Sequence, residues 1–311
     1  MNTYKPEGAL IRTHKNYEYT SSKEGLYEAL SHGIILEGIA MLCDHQLTLH
    51  IDVGAGVRAI MPRNEVQLTD RGEPVKDIAI LTRVGKPVCF KVLGFERLGS
   101  GEEVAIVSRR SAQLECRENY ISGLTPGDII PTKITHLENF GAFVDIGCGI
   151  TSLLSIDSIS VSRIAHPSAR LSEGDMIYTV VKLIDDRGRI YVSERELLGS
   201  WEENASLFKE GETVRGIIRS VESYGVFVEL MPNLAGLAEY REDARVGQSA
   251  AVYIKSIIPE KMKIKLIIID THDEPTEPMP LEYFIDTDSV THIDTWQYSP
   301  RGCKKIVETV F

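Results

Sequence analysis

Several features that are common in secreted, zinc-binding and membrane proteins are missing from this sequence. Its five cysteines are scattered and form no Cys-x-x-Cys pair, which argues against structural zinc and a disulfide framework and is typical of a reducing compartment. No apolar run approaches the roughly 18 residues that a membrane span needs. The first residues lack the apolar centre of a signal peptide. We therefore expect a cytoplasmic protein.

Motifs for catalysis and cofactor binding are missing as well. The eight histidines show no metal-ligand spacing, and there is no P-loop, Gly-x-Ser-x-Gly or paired-carboxylate signature. The adjacent Asp185 and Asp186 are candidates for magnesium, but a tight polar hairpin turn is the better interpretation. In DVGAGVRA, Arg58 and a strand-like continuation follow the glycines, which is unlike a dinucleotide site. We expect a protein that is not an enzyme and has no cofactor or metal.

An excess of positive charge is also missing, because the net charge is −11. Nearly half of the net negative charge lies in residues 271–311, where acidic side chains outnumber basic ones by 5. The rest of the chain is close to neutral. Any affinity for nucleic acid must therefore come from local faces and not from overall charge.

What the chain does contain is an internal repeat. Residues 126–147 read PGDIIPTKITHLENFGAFVDIG and align without a gap, at an offset of 84, with residues 210–231, which read EGETVRGIIRSVESYGVFVELM. The second halves of these units correspond at an offset of 73, so the later unit has lost 11 residues from its central connection. A fainter copy lies nearer the N-terminus, where Asp52 aligns with Asp145. We infer three tandem units.

Each unit has the apolar pattern of short strands separated by Gly, Asp and Ser turns, with a helical connection after the third strand. Five strands and one helix in about 70 residues describe a small closed Greek-key barrel of the OB type. We predict an all-β protein of three OB barrels, with helical connectors at residues 22–33 and 108–119. The predicted units are residues 1–116, 117–200 and 201–271, followed by an acidic linker and C-terminal tail at 272–311.

One aromatic pattern recurs in the second and third units. Phe140-Gly-x-Phe143 returns as Tyr224-Gly-x-Phe227. Side chains alternate along a strand, so residues three apart face opposite sides unless a bulge adds a backbone step. We predict such a bulge at Gly141, which makes the two rings a coplanar outer platform for stacking bases. The alternative, that both rings are core, is disfavoured by the exchange of Phe for Tyr.

Basic residues accompany the aromatic pairs. Arg187 and Arg189 lie in a polar turn, where they can reach a backbone phosphate or stack beside a base. Lys133 and Arg219 are further candidates for RNA contact. Three lysines alternate along the last hairpin: Lys261, Lys263 and Lys265. For this row, contact with phosphate and protection of a strand edge from aggregation are equally good explanations.

Together these residues resemble the S1 RNA-binding domain, an OB repeat found in the largest protein of the small ribosomal subunit, in exoribonucleases and in initiation factors. The resemblance covers about residues 30–270 and is strongest in the second unit. Such domains typically bind single-stranded RNA with the two aromatics, a histidine after the third strand, and an Asp and Arg in the last hairpin. From the resemblance, the second unit supplies Phe140, Phe143, Asp185 and Arg189, and the third supplies Tyr224, Phe227 and Lys263.

The departures from this pattern differ between the units. Ser155 and Glu239 stand at the histidine position of the second and third units, and the first unit has Leu47, His50 and Pro62 at its equivalent positions. The resemblance thus implies binding of single-stranded RNA, such as mRNA, in translation, with the first barrel contacting protein, for example the small ribosomal subunit. A protein-interaction adaptor, or an RNA-binding regulator or accessory subunit of an RNA-processing complex acting off the ribosome, stays open.

The C-terminal tail is too apolar for disorder and too short for a core of its own. We expect it to pack against a barrel, preferably the third, or to dock on a partner. A helix is predicted to start at Ser299 and Pro300.

Overall fold

The computed structural model describes residues 4–54, 58–69, 73–97, 99, 101–273 and 281–311. Within these ranges, 17 strands and six α-helices form three closed five-stranded barrels and a small C-terminal hairpin. The predicted all-β fold of OB barrels is therefore confirmed. The chain divides into two compact units, one comprising the residues up to Leu124 with Asp145–Thr151, the other Thr125–Val144 with Ser152–Phe311.

Barrel 1 lies in the first unit. Its strands are β1 (Leu36–Cys43), β2 (Leu49–Asp52), β3 (Arg58–Met61), β4 (Pro87–Arg97) and β5 (Glu103–Ser108). The helices of this unit are α1 (His14–Thr20), α2 (Lys23–His32), α3 (Asp77–Leu81) and α4 (Arg109–Asn119). The barrel closes in the order β1-β2-β3-β5-β4, with β3 and β5 parallel.

The two predicted helical connectors are confirmed as α2 and α4. The side chain of Ser22 accepts a hydrogen bond from Gly25 N at the start of α2, and Gly33 ends the helix in the left-handed conformation. Ser108 caps α4 in the same way. Both starts follow from local hydrogen bonding, so the sequence predicts them well.

A buried ion pair ties the N-terminal arm to α4. Arg109 Nε and Nη2 donate to the two carboxylate oxygens of Glu7 at 2.6 and 3.0 Å, and both side chains are almost completely buried. Cys89 N donates to the same carboxylate, and Glu7 N donates to Asp145 Oδ2. Burial opposes ionisation of Glu7, but Arg109 outweighs it and holds the pKa of Glu7 below its ordinary value.

Barrels 2 and 3 lie in the second unit, apart from the β7–β8 loop Asp145–Thr151. Barrel 2 consists of β6 (Ile129–Glu138), β7 (Gly141–Asp145), β8 (Thr151–Ser155), α5 (Ile156–Ile159), β9 (Met176–Ile184) and β10 (Ile190–Ser193). After α6 (Trp201–Ala205), barrel 3 consists of β11 (Thr213–Glu222), β12 (Gly225–Met231), β13 (Leu234–Ala238), β14 (Ser249–Ile258) and β15 (Lys263–His272). Both have the strand order of barrel 1.

The C-terminal segment, residues 281–311, packs on both of these barrels. Tyr283 and Phe311 join a cluster around Ile129, Val180 and Leu197 of barrel 2. Trp296 and Tyr298 belong to the core cluster of barrel 3. The expected contact with barrel 3 is therefore present, and the contact with barrel 2 adds to it.

The helix predicted at Ser299 is wrong. Residues 301–302 form a turn, and the chain continues into β17 (Glu308–Val310), which pairs with β16 (Thr295–Gln297). Ser299 Oγ donates to Lys305 O and accepts from Val307 N, at 2.8 and 2.7 Å. These bonds close a loop, which competes with the helix that Ser-Pro would otherwise start. Among the described helices, none is long and apolar enough to cross a membrane.

Candidate nucleic-acid interface

Phe140 and Tyr224 lie in tight turns and not within strands. Glu222 pairs with Gly225, so Tyr224 occupies a two-residue turn between β11 and β12. Phe140 lies in the matching turn before β7. Strand alternation therefore does not apply to these two rings, and the bulge predicted to recur at Gly225 is wrong, because Gly225 pairs directly with Glu222. In barrel 3 the register shift lies earlier, between Ile218 and Ser220.

The glycine that follows each of these turns is needed for close backbone approach. A Cβ at Gly141 would lie 2.3 Å from Leu154 O, and one at Gly225 would lie 2.5 Å from Ala238 O. Both glycines have φ of +154°, which side chains disfavour. Barrels 2 and 3 thus both have glycine at this position because neighbouring strands approach too closely there for a side chain.

The two aromatic pairs have nearly the same geometry. The rings of Phe140 and Phe143 are 5.9 Å apart at 86°, and those of Tyr224 and Phe227 are 6.1 Å apart at 87°. The first ring of each pair is 54% and 67% exposed, respectively. The rings are thus perpendicular and not coplanar as predicted, so each pair offers one ring face and one ring edge.

In barrel 3 the strand register places Phe227 in a row that crosses the outer surface. Phe227 pairs with Leu237, Leu237 with Lys265, and Lys265 with Ser256. The neighbouring row is buried and consists of Val226, Ala238, Leu266 and Ile254. We call the residues Phe227, Leu237, Lys265 and Ser256 the outer row of barrel 3.

Barrel 2 has the matching outer row Phe143, Leu153, Tyr191 and Leu183. Tyr191 pairs with Leu153 on β8 and with Leu183 on β9. Phe143 is assigned to this row because it lies 84 residues before Phe227, its counterpart in the outer row of barrel 3. Tyr191 was missed by the sequence analysis, although alternation in RIYVSE signals it: Ile190 and Val192 are buried, so Tyr191 faces outward with Arg189.

The described outer row of barrel 1 contains no Phe, Tyr or Trp. The register joins His50, Ile60, Ile106 and Gly94. His50 Nε2 lies 3.2 Å from Asp44 Oδ2, and Arg58 Nη2 lies 3.2 Å from His50 Nδ1. Leu47, which stands in place of the first aromatic, packs against the barrel core.

Asp185 organises the hairpin turn beside the outer row of barrel 2. Its carboxylate accepts hydrogen bonds from the backbone N of Arg187 and Arg189, both at 2.9 Å, and from Arg189 Nε at 2.7 Å. These bonds to Arg189 lower the pKa of Asp185. The turn therefore fixes Arg189 on the outer surface. No metal-binding cluster of His, Cys, Asp and Glu occurs in the described ranges.

Two of the sequence candidates lie away from these rows. Arg219 donates to both oxygens of Glu229 at 2.9 Å, and the buried Arg170 binds the same carboxylate. Arg219 is thus held in an ion-pair network that joins barrels 2 and 3. Lys133 lies on β6 in register with Met176, at the opposite end of β9 from the Asp185 turn.

The remaining candidates fall on the two surfaces just described. Arg187, Arg189 and Lys263 are exposed, and Lys263 stands two residues from Lys265 on the same face of β15.

Comparison with known proteins agrees with this architecture. Residues 124–195 match the family model described as S1 RNA binding domain. Small ribosomal subunit protein bS1 of Staphylococcus saprophyticus is 28% identical over 91% of this chain and 72% of that protein. A bS1 homolog of Bacillus cereus is 28% identical over 80% of this chain and 64% of that protein.

Among solved structures, a multidomain protein with nucleic acid binding domains from Streptococcus pneumoniae aligns at 15% identity with a TM-score of 0.25, covering 80% of this chain and 77% of that one. At this TM-score nothing about the present chain follows from it. Residues 124–195 thus match the S1 RNA-binding domain, and the chain, with its three barrels of one topology, is similar to bacterial bS1 over most of its length.

Proposed function

We propose that this protein binds single-stranded RNA across the outer rows of barrels 2 and 3, by contact alone and without catalysis. The observation that carries the proposal is the surface of barrel 2, where the outer row begins at the Phe140–Phe143 pair, of which Phe140 is exposed, and the Asp185–Arg189 turn leads into Tyr191 of the same row. Aromatic rings stack with bases of any sequence, and arginine binds the phosphate backbone. This surface also lies within the residues that match the S1 RNA binding domain.

The role in the cell that we propose is delivery of mRNA to translation in the cytoplasm, with barrel 1 docking on the small ribosomal subunit. Two observations support it: the alignment with bS1 over 91% of the chain, and the absence of Phe, Tyr and Trp from the described outer row of barrel 1. In this row the imidazole of His50 is held between Asp44 and Arg58, so it offers RNA little to stack on, which leaves this barrel for protein contacts.

The direct test is a fluorescence anisotropy titration with a labelled ten-nucleotide RNA, single-stranded or annealed to its complement, at two salt concentrations. Single-stranded RNA should bind tighter, and its affinity should fall as salt rises. Equal affinity for both forms would contradict the proposal.

A second experiment tests the cellular role. Cosedimentation with ribosomes, with and without nuclease treatment, separates a ribosome-bound protein from a regulator or adaptor that acts elsewhere. Binding that survives nuclease supports docking through protein. Loss of all ribosome association, with RNA binding retained, would place the protein off the ribosome.

A further inference from the structure

Barrels 2 and 3 carry different chemistry at equivalent positions of their outer rows. Tyr191 of β10 pairs with Leu153, and Lys265 of β15 pairs with Leu237, which lies 84 residues after Leu153. Tyr191 and Lys265 therefore occupy the same place in the two barrels. The next residue in each row is Leu183 in barrel 2, which is 54% exposed, and Ser256 in barrel 3.

Each barrel also has a lysine at the register shift next to this row, and the two lysines have different surroundings. Lys182 lies at the register shift of β9, and its Nζ donates to Ser158 Oγ of α5 at 2.9 Å. Burial lowers the pKa of Lys182. Lys255 lies at the equivalent shift of β14, where β13 and β14 are joined without a counterpart of α5, and it is exposed. The shortened connection of barrel 3 thus leaves this charge facing solvent.

Beyond these shared aromatic pairs, the two surfaces differ in character. Barrel 2 continues from its aromatic pair to a tyrosine and a leucine. Barrel 3 continues to three exposed lysines, Lys255, Lys263 and Lys265, none of which forms an ion pair with a residue in the described ranges. An aromatic ring interacts with a base face, whereas an ammonium group binds phosphate oxygens and displaces counterions.

Building on the proposed function, we infer that the two barrels divide the work of holding one RNA. Barrel 2 holds bases mainly by stacking, with Tyr191 as a third ring beside Phe140 and Phe143 and with Arg189 as its phosphate contact. Barrel 3 holds the phosphate backbone, with Lys255 and Lys265 as its main contacts. On this proposal Lys265, a member of the lysine row, contacts phosphate and does more than protect a strand edge from aggregation.

The test is the salt dependence of RNA affinity in single variants of the whole chain. Tyr191→Ala should weaken binding of a ten-nucleotide RNA by about tenfold at every salt concentration and leave the slope of log K against log salt unchanged. Lys265→Ala should weaken binding mainly at low salt and make the slope shallower by about 0.7, the value for one phosphate contact on a single strand. Lys255→Ala should behave in the same way.

Conservative variants provide the controls. Tyr191→Phe should bind like the wild type because the ring is kept, and Lys265→Arg should keep the slope because the charge is kept. If an alanine variant fails to fold, Tyr191→Leu and Lys265→Gln take its place, because they keep most of the side-chain bulk and remove the ring or the charge.

The outcomes separate this inference from the proposed function. Equal changes of slope in Tyr191→Ala and Lys265→Ala, or no change of affinity in either, would overturn the division of work while RNA binding stands. A wild-type chain that does not bind single-stranded RNA would overturn both.

Discussion

Glu7 and Arg109, 102 positions apart in the chain, form a two-point ion pair in the interior of the first unit, at 2.6 and 3.0 Å. The same carboxylate accepts a hydrogen bond from Cys89 N, so Glu7 of the N-terminal arm connects α4 to β4 of barrel 1. Such a pair adds little net stability when it is complete, but its disruption leaves a charge buried without its partner.

Arg109→Leu should therefore destabilise the first unit by about 3–5 kcal/mol. Hydrogen exchange of peptides from α4 measures this locally, and their exchange should accelerate by about a hundredfold or more. The matched control is Arg63→Leu, whose partner Asp77 lies at 2.6 Å on the exposed surface, where at most about 1 kcal/mol is at stake. Unchanged exchange in α4 of Arg109→Leu would show that the pair is dispensable.

The stability of the protein should depend on pH through Glu194, which lies at the contact between barrel 2 and the C-terminal segment. Burial raises the pKa of Glu194 to about 8, and Tyr283 Oη donates to its Oε1 at 3.3 Å. The unfolded chain releases this proton near pH ~4.3. Between the unfolded-state and folded-state pKa values, the folded protein binds more protons at Glu194 than the unfolded chain does. The stabilisation that protonated Glu194 contributes is therefore complete below about pH 4 and is lost as pH rises through 8.

Glu194→Gln removes that titration. Thermal melts from about pH 5 to about pH 9 should show the variant gaining stability over the wild type as pH rises, with little difference at the acidic end. Glu202→Gln, an exposed change on α6, should leave the wild-type profile unaltered. A constant difference between Glu194→Gln and the wild type across the range would argue against a titrating Glu194.

Barrel 2 should dominate RNA affinity. Phe140→Ala with Phe143→Ala should weaken binding more than tenfold, which corresponds to about 1.4 kcal/mol or more from at least one lost stack. The matched change in barrel 3 is Tyr224→Ala with Phe227→Ala. It should cost less, because barrel 3 has no further ring in its outer row and relies on its lysines. Anisotropy titrations with the same ten-nucleotide RNA compare the two double variants.

Folding must be checked in the same samples, because Phe143 is half-buried. The single change Phe140→Ala is the safer variant, since that ring is exposed and lies in a turn. Wild-type affinity in a folded protein that carries both Phe140→Ala and Phe143→Ala would remove these rings from the interface.

Barrel 1 should contribute little to RNA affinity. His50→Ala with Arg58→Ala removes the polar side chains of this surface and should leave affinity within about threefold, because the His50 ring is held by Asp44 and no Phe, Tyr or Trp is lost. Point variants are preferable to deleting residues 1–116, since that deletion would cut α4 and remove Glu7 and Arg109 from the buried Asp145. A loss of affinity much larger than threefold would reveal an RNA site in barrel 1.

The sequence predicts the barrels well because a gapless repeat of 22 residues and two capped helices are local patterns. It places Phe140 wrongly because strand ends are the least certain part of such a prediction, and a shift of one or two residues moves a ring from strand to turn. The network of Arg219, Glu229 and Arg170 depends on a loop 59 positions away from Glu229, which no local pattern shows. The contact of the C-terminal segment with barrels 2 and 3 also joins residues far apart in the sequence, so no local pattern predicts it.

That contact has a consequence for synthesis of the chain. Ile129, Val180 and Leu197 of barrel 2 are covered by residues from 283 to 311. The intervening barrel 3 must be made first, which at about 5–20 residues per second delays the covering by several seconds. During this interval a nascent barrel 2 exposes an apolar patch that the finished protein hides. Barrel 2 without its C-terminal segment should therefore be the form most prone to aggregate and most readily recognised by chaperones.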